Sequence, residues 1–287
     1  VGIQANMRVE AQLTTGIWTD LTPDTNAVSG LQVFYGIQGN GPTDCVAGTG
    51  EAAWVQKNHA GNSGAQQGYY SPLHASKRSG WAFGIPAQIV FSHGNDSAQS
   101  VSTLTRSGTT ATATTAAAHG YATSDYVTIS GAGEEGYNGT YQITVTGGST
   151  LTYTVAGSPA TPATGTITAR KAYVKHRGKI RVIDPDAGIA RQQLVRVTSY
   201  DGIRDLAESD LREVALQVGA TEAECVDALL DALPAASQPV ARSLDTGVDT
   251  FPYAFDDLEG GQKALGIVKD VCLSSFALAF IRGDGTF

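Results

Sequence analysis

Apolar and polar positions alternate through most of the chain ahead of Asp201. Val101-Ser102-Thr103-Leu104-Thr105 and Tyr126-Val127-Thr128-Ile129-Ser130 are clear cases. Tyr141 to Thr146, Leu151 to Val155 and Gly165 to Ala169 repeat the pattern. A period of two puts every second side chain on one face, which predicts strands with one buried side. Turn residues separate the runs at Ser107-Gly108, Asn138-Gly139, Gly147-Gly148 and Gly157-Ser158-Pro159. Asn-Gly and Gly-Gly between alternating runs predict hairpins. Residues 99–169 therefore read as a small independent β-sandwich or Ig-like module. They hold 19 threonines among 71 residues, and their only charges are Arg106, Asp125, Glu134 and Glu135. Threonine is β-branched and suits a half-exposed pleated surface.

The segments on either side resemble each other more than they resemble this stretch. Apolar runs at Met7 to Leu13, Leu31 to Ile37, Ala52 to Val55 and Ile85 to Phe91 are separated by Gly- and Asn-rich loops. Residues 172–183 and 194–199 continue that style. The economical reading is one β domain, residues 1–98 and 170–200, interrupted by the threonine-rich module. Insertion is tolerated where chain ends lie close at an exposed loop. From Asp201 the period turns helical and an α+β part, residues 201–287, begins. Asp201 can cap a helix that runs through Ser209. Thr221-Glu222-Ala223-Glu224 is a capping box opening a helix that Pro234 stops. A third helix is expected from about Gly260 to Cys272, then a strand from Phe276 to Ile281 and a turn at Gly283-Asp284-Gly285. The expected fold class is mainly β with an α+β C-terminal part.

Composition narrows the function. Hydrophobic residues are 41% of the 287, and no run nears the roughly 18 continuous apolar residues of a membrane span. No secretory signal opens the chain. It starts at Val1 without an initiator methionine, and it stops at Phe287 where a return strand is expected, so a trimmed product or a fragment is anticipated. A formal net charge of −8 argues against general nucleic-acid binding. Cys45, Cys225 and Cys272 make neither a disulfide framework nor a zinc half-site. Cys225 and Cys272 stand among apolar residues and read as core thiols, which fits assembly in a reducing cytoplasm. Glycine is abundant, 34 residues, and charged residues are only 16%, a profile of short strands and tight turns.

Chemistry-bearing patterns are sparse. His59, His74, His93, His119 and His176 form no metal motif and read as surface or loop residues. Gly48-Thr49-Gly50-Glu51-Ala52-Ala53 has dinucleotide-loop spacing but no helical stripe after it. Ser63 lacks the spacing of a nucleophile elbow and reads as part of a flexible loop. Asp245, Asp249, Asp256, Asp257 and Glu259 could serve a hydrolase, but Asp256-Asp257 reads better as charge favouring the N-terminus of the third helix. No catalytic residue, cofactor or metal is expected. One charge pattern stands out. Lys175, Arg177, Lys179 and Arg181 alternate with His176, Gly178, Ile180 and Val182, so a strand would gather four cations on one face. Such a face is solvated, or a candidate subunit interface docking on an acidic neighbour, or, third, a DNA-contacting ridge, which at this net charge would have to line a channel crossed by phosphates.

The order of segments is similar to that of the tail-tip hub and minor tail proteins of siphophages. Gly16-Ile17-Trp18-Thr19-Asp20-Leu21-Thr22 comes first, then Gly68-Tyr69-Tyr70-Ser71-Pro72-Leu73-His74 and Gly84-Ile85-Pro86-Ala87-Gln88-Ile89-Val90-Phe91. After the threonine-rich stretch come His176-Arg177-Gly178-Lys179-Ile180, with histidine where the pattern often has phenylalanine, and Val195-Arg196-Val197-Thr198-Ser199-Tyr200-Asp201. The resemblance covers residues 1–98 and 170–287. It implies a non-enzymatic virion protein with a tube-like β-barrel domain, assembled as a homotrimer that closes the tail tube. Implied partners are the distal tail protein, the tape-measure protein and tail fibres, with DNA passing only during ejection. The module would project toward the host surface as an adhesive element, with Glu134, Glu135, Tyr137 and Asn138 as its candidate exposed loop. A carbohydrate-binding or adhesion protein acting through residues 99–169 is the rival reading.

Overall fold

A computed structural model describes residues 7–26, 30–36, 44–186, 193–211, 213–247, 249–256 and 261–287. Ile37, Asp257, Glu259 and Gly260, which figured in the sequence reading, lie outside the described residues. The first strands are β1 (Met7–Thr14), β2 (Ile17–Asp20), β3 (Gln32–Phe34), β4 (Glu51–Lys57) and β5 (Pro86–Phe91). The threonine-rich stretch supplies β6 (Gln99–Ser107), β7 (Thr110–Thr115), β8 (Tyr126–Ala132), β9 (Gly139–Gln142), β10 (Thr144–Gly147) and β11 (Thr150–Thr154). β12 (Gly165–Pro185) and β13 (Leu194–Tyr200) follow. Then come α1 (Gly202–Glu208), β14 (Asp210–Leu211), β15 (Gln217–Thr221), α2 (Glu222–Asp231), β16 (Thr250–Ala254), β17 (Gln262–Lys263) and α3 (Ala264–Ser275). The described residues are thus mostly β, with their α-helices after residue 200.

The chain divides into two compact units. The first comprises residues 1–31, 53–175 and 179–198, the second residues 32–52, 176–178 and 199–287. In the first, strands follow the hydrogen-bonded order β10-β11-β7-β6-β12-β13-β4, with β1, β2, β5, β8 and β9 as side branches. This path has an end at β10 and does not return on itself, so the described strands form no closed barrel. β1 pairs antiparallel with β2 and with β5, and β5 pairs with β12, so segments before and after the threonine-rich stretch join one sheet. The two ends of that stretch meet: Thr168 lies opposite Ser100 and Ala169 opposite Gln99.

Alternation in the sequence becomes alternation of burial. Leu104, Ala111, Ala113, Val127, Ile129, Leu151 and Tyr153 point inward and are almost fully buried, while Thr112 and Thr152 between them sit half-buried and Thr128 is covered on the opposite face. Each large aliphatic among them stabilises by roughly 1.5–3 kcal/mol on burial. Trp18 from β2 packs into the same cluster. β7 was not anticipated, because its inward residues are Ala111 and Ala113, whose methyl groups give little hydrophobic contrast with threonine. The run Tyr141 to Thr146 is broken at Ile143, whose N–H donates to the Asp125 carbonyl at 2.9 Å instead of continuing one strand. Asn138-Gly139 does not turn a hairpin; β8 and β9 are joined by residues 133–138, and Gly139 opens β9.

The second unit is built on its helices. Asp201 caps α1, with Oδ1 accepting the Ile203 N–H at 3.1 Å. The Thr221–Glu224 capping box opens α2 as its sequence predicts. Cys225, Leu229 and Leu230 of α2 pack with Val268 and Cys272 of α3 in one core that also holds Ile203, Leu206 and Phe287. All three cysteines are free and buried. α3 begins at Ala264 and carries no side-chain cap; its N-cap is Lys263, so Asp256 does not serve that terminus. The expected strand from Phe276 to Ile281 does not form as such: Phe276 is the left-handed C-cap of α3, and only Ala279 bridges, in parallel with Val46. No described helix is long and apolar enough to cross a membrane.

Candidate functional site

The basic residues singled out from the sequence all lie on β12. Lys175 and Arg181 are exposed, and Arg177 and Lys179 are half-buried. The intervening His176 and Ile180 are buried, so the cations share the more open face of the strand. Alternation then shifts by one, since Val182 is exposed and Ile183 is buried. The Lys175 ammonium lies 5.7 Å from the Tyr173 ring centroid, close enough for a cation–π contact.

The loop expected as an exposed adhesive tip keeps Glu135 at the surface and Glu134 and Asn138 half-buried, but it does not expose its aromatic. Tyr137 is fully buried, and its hydroxyl donates to the Ala160 carbonyl at 3.0 Å. The Asn138 side chain closes the loop on itself, donating to the Ala132 carbonyl at 2.8 Å and accepting the Ala132 N–H at 3.0 Å. Glu134 accepts from the Thr164 N–H at 2.9 Å, and Glu135 from the Thr19 hydroxyl at 3.0 Å. The reason is hydrophobic: an aromatic ring in a polar loop goes inward when a neighbouring element supplies a wall, here the cluster containing Trp18.

Sequence reasoning also missed a polar network that organises residues 58–84. Asp24, which is 2% exposed, accepts the Ser63 N–H at 2.6 Å and the Ser63 hydroxyl at 2.7 Å. The Tyr70 hydroxyl also donates to Asp24, and Arg78 lies 3.5 Å from its carboxylate. Burial pushes the Tyr70 hydroxyl well above its ordinary pKa, so it stays a donor. Asn58 accepts the Tyr70 N–H and donates to the Ser71 hydroxyl, both at 2.8 Å, and the Trp81 indole donates to the Tyr70 carbonyl at 2.7 Å. Ser63 is therefore held rather than mobile, and no histidine is among its hydrogen-bond partners. The network fixes a loop whose surface carries Leu73, fully exposed, and Phe83. The sequence signal was the Gly68–His74 motif itself, in which Tyr70 is the anchor.

Two of the histidines expected as surface or loop residues are buried, His119 in a loop and His176 in β12. The His119 ring stacks on Tyr121 with centroids 4.9 Å apart, and its Nδ1 accepts the Tyr121 N–H at 3.0 Å. His176 Nε2 lies 3.0 Å from the Ser199 hydroxyl, and loss of hydration holds its pKa down at about 4. Burial drives the Asp201 carboxyl up to about 7, against backbone N–H groups of Gly50, Ile203 and Arg204 that favour the ionised form. The Gly48–Ala53 segment runs into β4, not a helix, so it cannot present a helix N-terminus to a pyrophosphate. Among the described residues no three His, Cys, Asp or Glu side chains gather as metal ligands.

In the second unit Phe276, Leu278 and Phe280 are exposed, while Ala277 and Ala279 pack toward the core. Beside them opens a pocket of about 260 Å³ whose lining includes Glu222, Asp245, Arg282 and Phe287.

No protein-family model matches the chain. No curated protein matches it significantly. Among solved structures it is similar to the 43 kDa tail protein of prophage MuSo2 from Shewanella oneidensis, with 9% sequence identity and a TM-score of 0.46. The similarity covers 98% of this chain and 53% of that one, so the chain spans about half the length of the protein it matches.

Proposed function

We propose that this chain is a structural subunit of a bacteriophage tail and, within the tail, part of the hub that closes the tip and opens for DNA. The observation that carries the reading is the use made of the motif residues whose order resembles the hub and minor tail proteins. Trp18 completes a core, and Asp20 Oδ1 accepts the Thr22 N–H at 2.9 Å. The Thr22 hydroxyl accepts the Val9 N–H at 3.0 Å, Tyr70 anchors its loop, and Asp201 starts α1. Motif residues that each hold part of the framework support a shared framework better than scattered surface matches would.

Function here is packing rather than bond chemistry. An open sheet leaves unpaired backbone groups at its edges, and sister copies related by rotational symmetry can satisfy them. A trimer of such subunits would offer surfaces to a distal tail ring, a tape-measure protein and fibres. The cations of β12 suit an acidic neighbour. Size-exclusion chromatography with light scattering on the full chain tests this: a stable trimer is expected, and a monomer at every concentration overturns it. Gold labelling of this chain on intact particles should mark the tail tip; label on the head or along the tube would refute the hub assignment.

A further inference from the structure

A polar groove of about 330 Å³ opens in the first unit where β1, β2 and β5 meet β8 and β12. It is made jointly by the threonine-rich stretch and the strands flanking it. Five hydroxyl side chains line it: Thr22, Ser92, Thr128, Ser130 and Thr168. Ser130 and Thr168 form a cross-strand pair with their oxygens 3.1 Å apart, and Thr128 is held by Thr140 at 2.7 Å. Ser92 is only 7% exposed, yet its hydroxyl has no partner among the described residues. The hydroxyl oxygen itself opens into the groove, where a ligand hydroxyl can pair with it.

Three charged side chains complete the lining: Arg8, Asp20 and Arg170. Both guanidinium groups are pinned. Arg170 Nε donates to the Asp96 carbonyl at 2.7 Å, and Arg8 Nε lies 2.6 Å from Glu10. The Arg8 Nη2 lies 3.5 Å from Asp20. Each arginine keeps an Nη1 group without a partner among the described residues. Pinned donors are pre-organised and lose little entropy on binding.

Charge and size select the ligand. Arg8 and Arg170 are balanced by Asp20 and by Glu10, which stands fully buried behind Arg8. A phosphate chain or a polyanion would need a cationic excess that is absent. An apolar ligand would leave the hydroxyls and charges desolvated and unpaired. A polyol both donates and accepts at every hydroxyl, as this lining does, and Met7, Val90 and Ala98 offer contact for C–H groups. The volume falls at the small end of ligand pockets, which run from roughly 300 to 1,000 Å³.

We propose that this groove binds a neutral saccharide unit. The site does not depend on the tail reading, and its test has a separate readout. Saturation-transfer NMR on the full chain would use glucose, galactose and N-acetylglucosamine as neutral probes, against glucuronate and inorganic phosphate. At least one neutral sugar should bind at millimolar concentration. Ser130→Trp, which fills the groove, should abolish the transfer. Arg170→Gln should weaken it about tenfold, equivalent to about 1.4 kcal/mol, with the thermal unfolding midpoint held. Three results would overturn the proposal: no transfer to any neutral sugar, equal transfer with both variants, or tighter binding of glucuronate or phosphate than of every neutral probe.

Discussion

The Cβ of Trp18 stands 2.7 Å from the point where a Cβ on Gly139 would lie. Gly139 also has φ +131, a conformation that side chains with a Cβ rarely adopt. Space and backbone geometry therefore demand glycine together, where β2 meets β9. Gly139→Ala is expected to cost roughly 2–4 kcal/mol. Urea unfolding at neutral pH measures it. Gly148 has nothing within 4 Å of its added Cβ and serves as the control, with a change of about 0.5 kcal/mol or less. Equal losses at both positions would refute the steric argument.

Asp201 gives the second unit a defined pH dependence. Its folded pKa of about 7 lies above the ordinary 3.8, so the folded state binds its proton more tightly than the unfolded state does. The stabilisation from this group is full below about 3.8 and is lost as pH rises through about 7. Asp201→Asn should flatten the stability profile between pH 5 and pH 8, a window chosen to span roughly that folded pKa. Unfolding midpoints collected across the window decide it; an unchanged slope in the variant removes Asp201 as the cause.

His176 titrates in the opposite sense. Its pKa is held at about 4, below the ordinary 6.5, because the buried imidazole is poorly solvated when charged. Its contribution is present above about 6.5 and is lost as pH falls through about 4. Nitrogen-15 shifts of the ring should report a neutral imidazole at pH 5.5, a value roughly midway between the two. A cationic ring at that pH would contradict the burial.

Asp24 is the pin of the 58–84 loop. Asp24→Asn replaces one acceptor oxygen by an NH2 that faces the Ser63 and Tyr70 donors, and it removes the negative charge near Arg78. The expected loss is about 2 kcal/mol or more. Limited proteolysis should then cut within residues 58–84 well before the rest of the chain. Cleavage at the wild-type rate would mean that the loop is held by other contacts.

Much of the framework was legible in the amino-acid order. Strand alternation around Val127 and Ile129, the Asp201 cap and the Thr221–Glu224 box all depend on residues within a few positions of one another. Such local patterns fix periodicity and caps whatever lies across the interior. β7 escaped because Ala111 and Ala113 carry too little apolar contrast, and the expected α3 cap at Asp256 failed because the helix starts later, at Ala264.

What tertiary structure alone decided was which polar and aromatic groups are covered. Tyr137 looked like a loop-tip aromatic until Trp18, far away in sequence, completed the cluster that buries it. Glu10 accepts from the Gln88 side chain at 2.6 Å and from the Thr140 N–H at 3.3 Å, partners that no spacing rule connects. The saccharide groove likewise exists only because strands from both sides of the threonine-rich stretch meet. Local order sets which face a side chain takes; burial is set by whatever long-range neighbour occupies the other side, and a linear sequence does not name that neighbour.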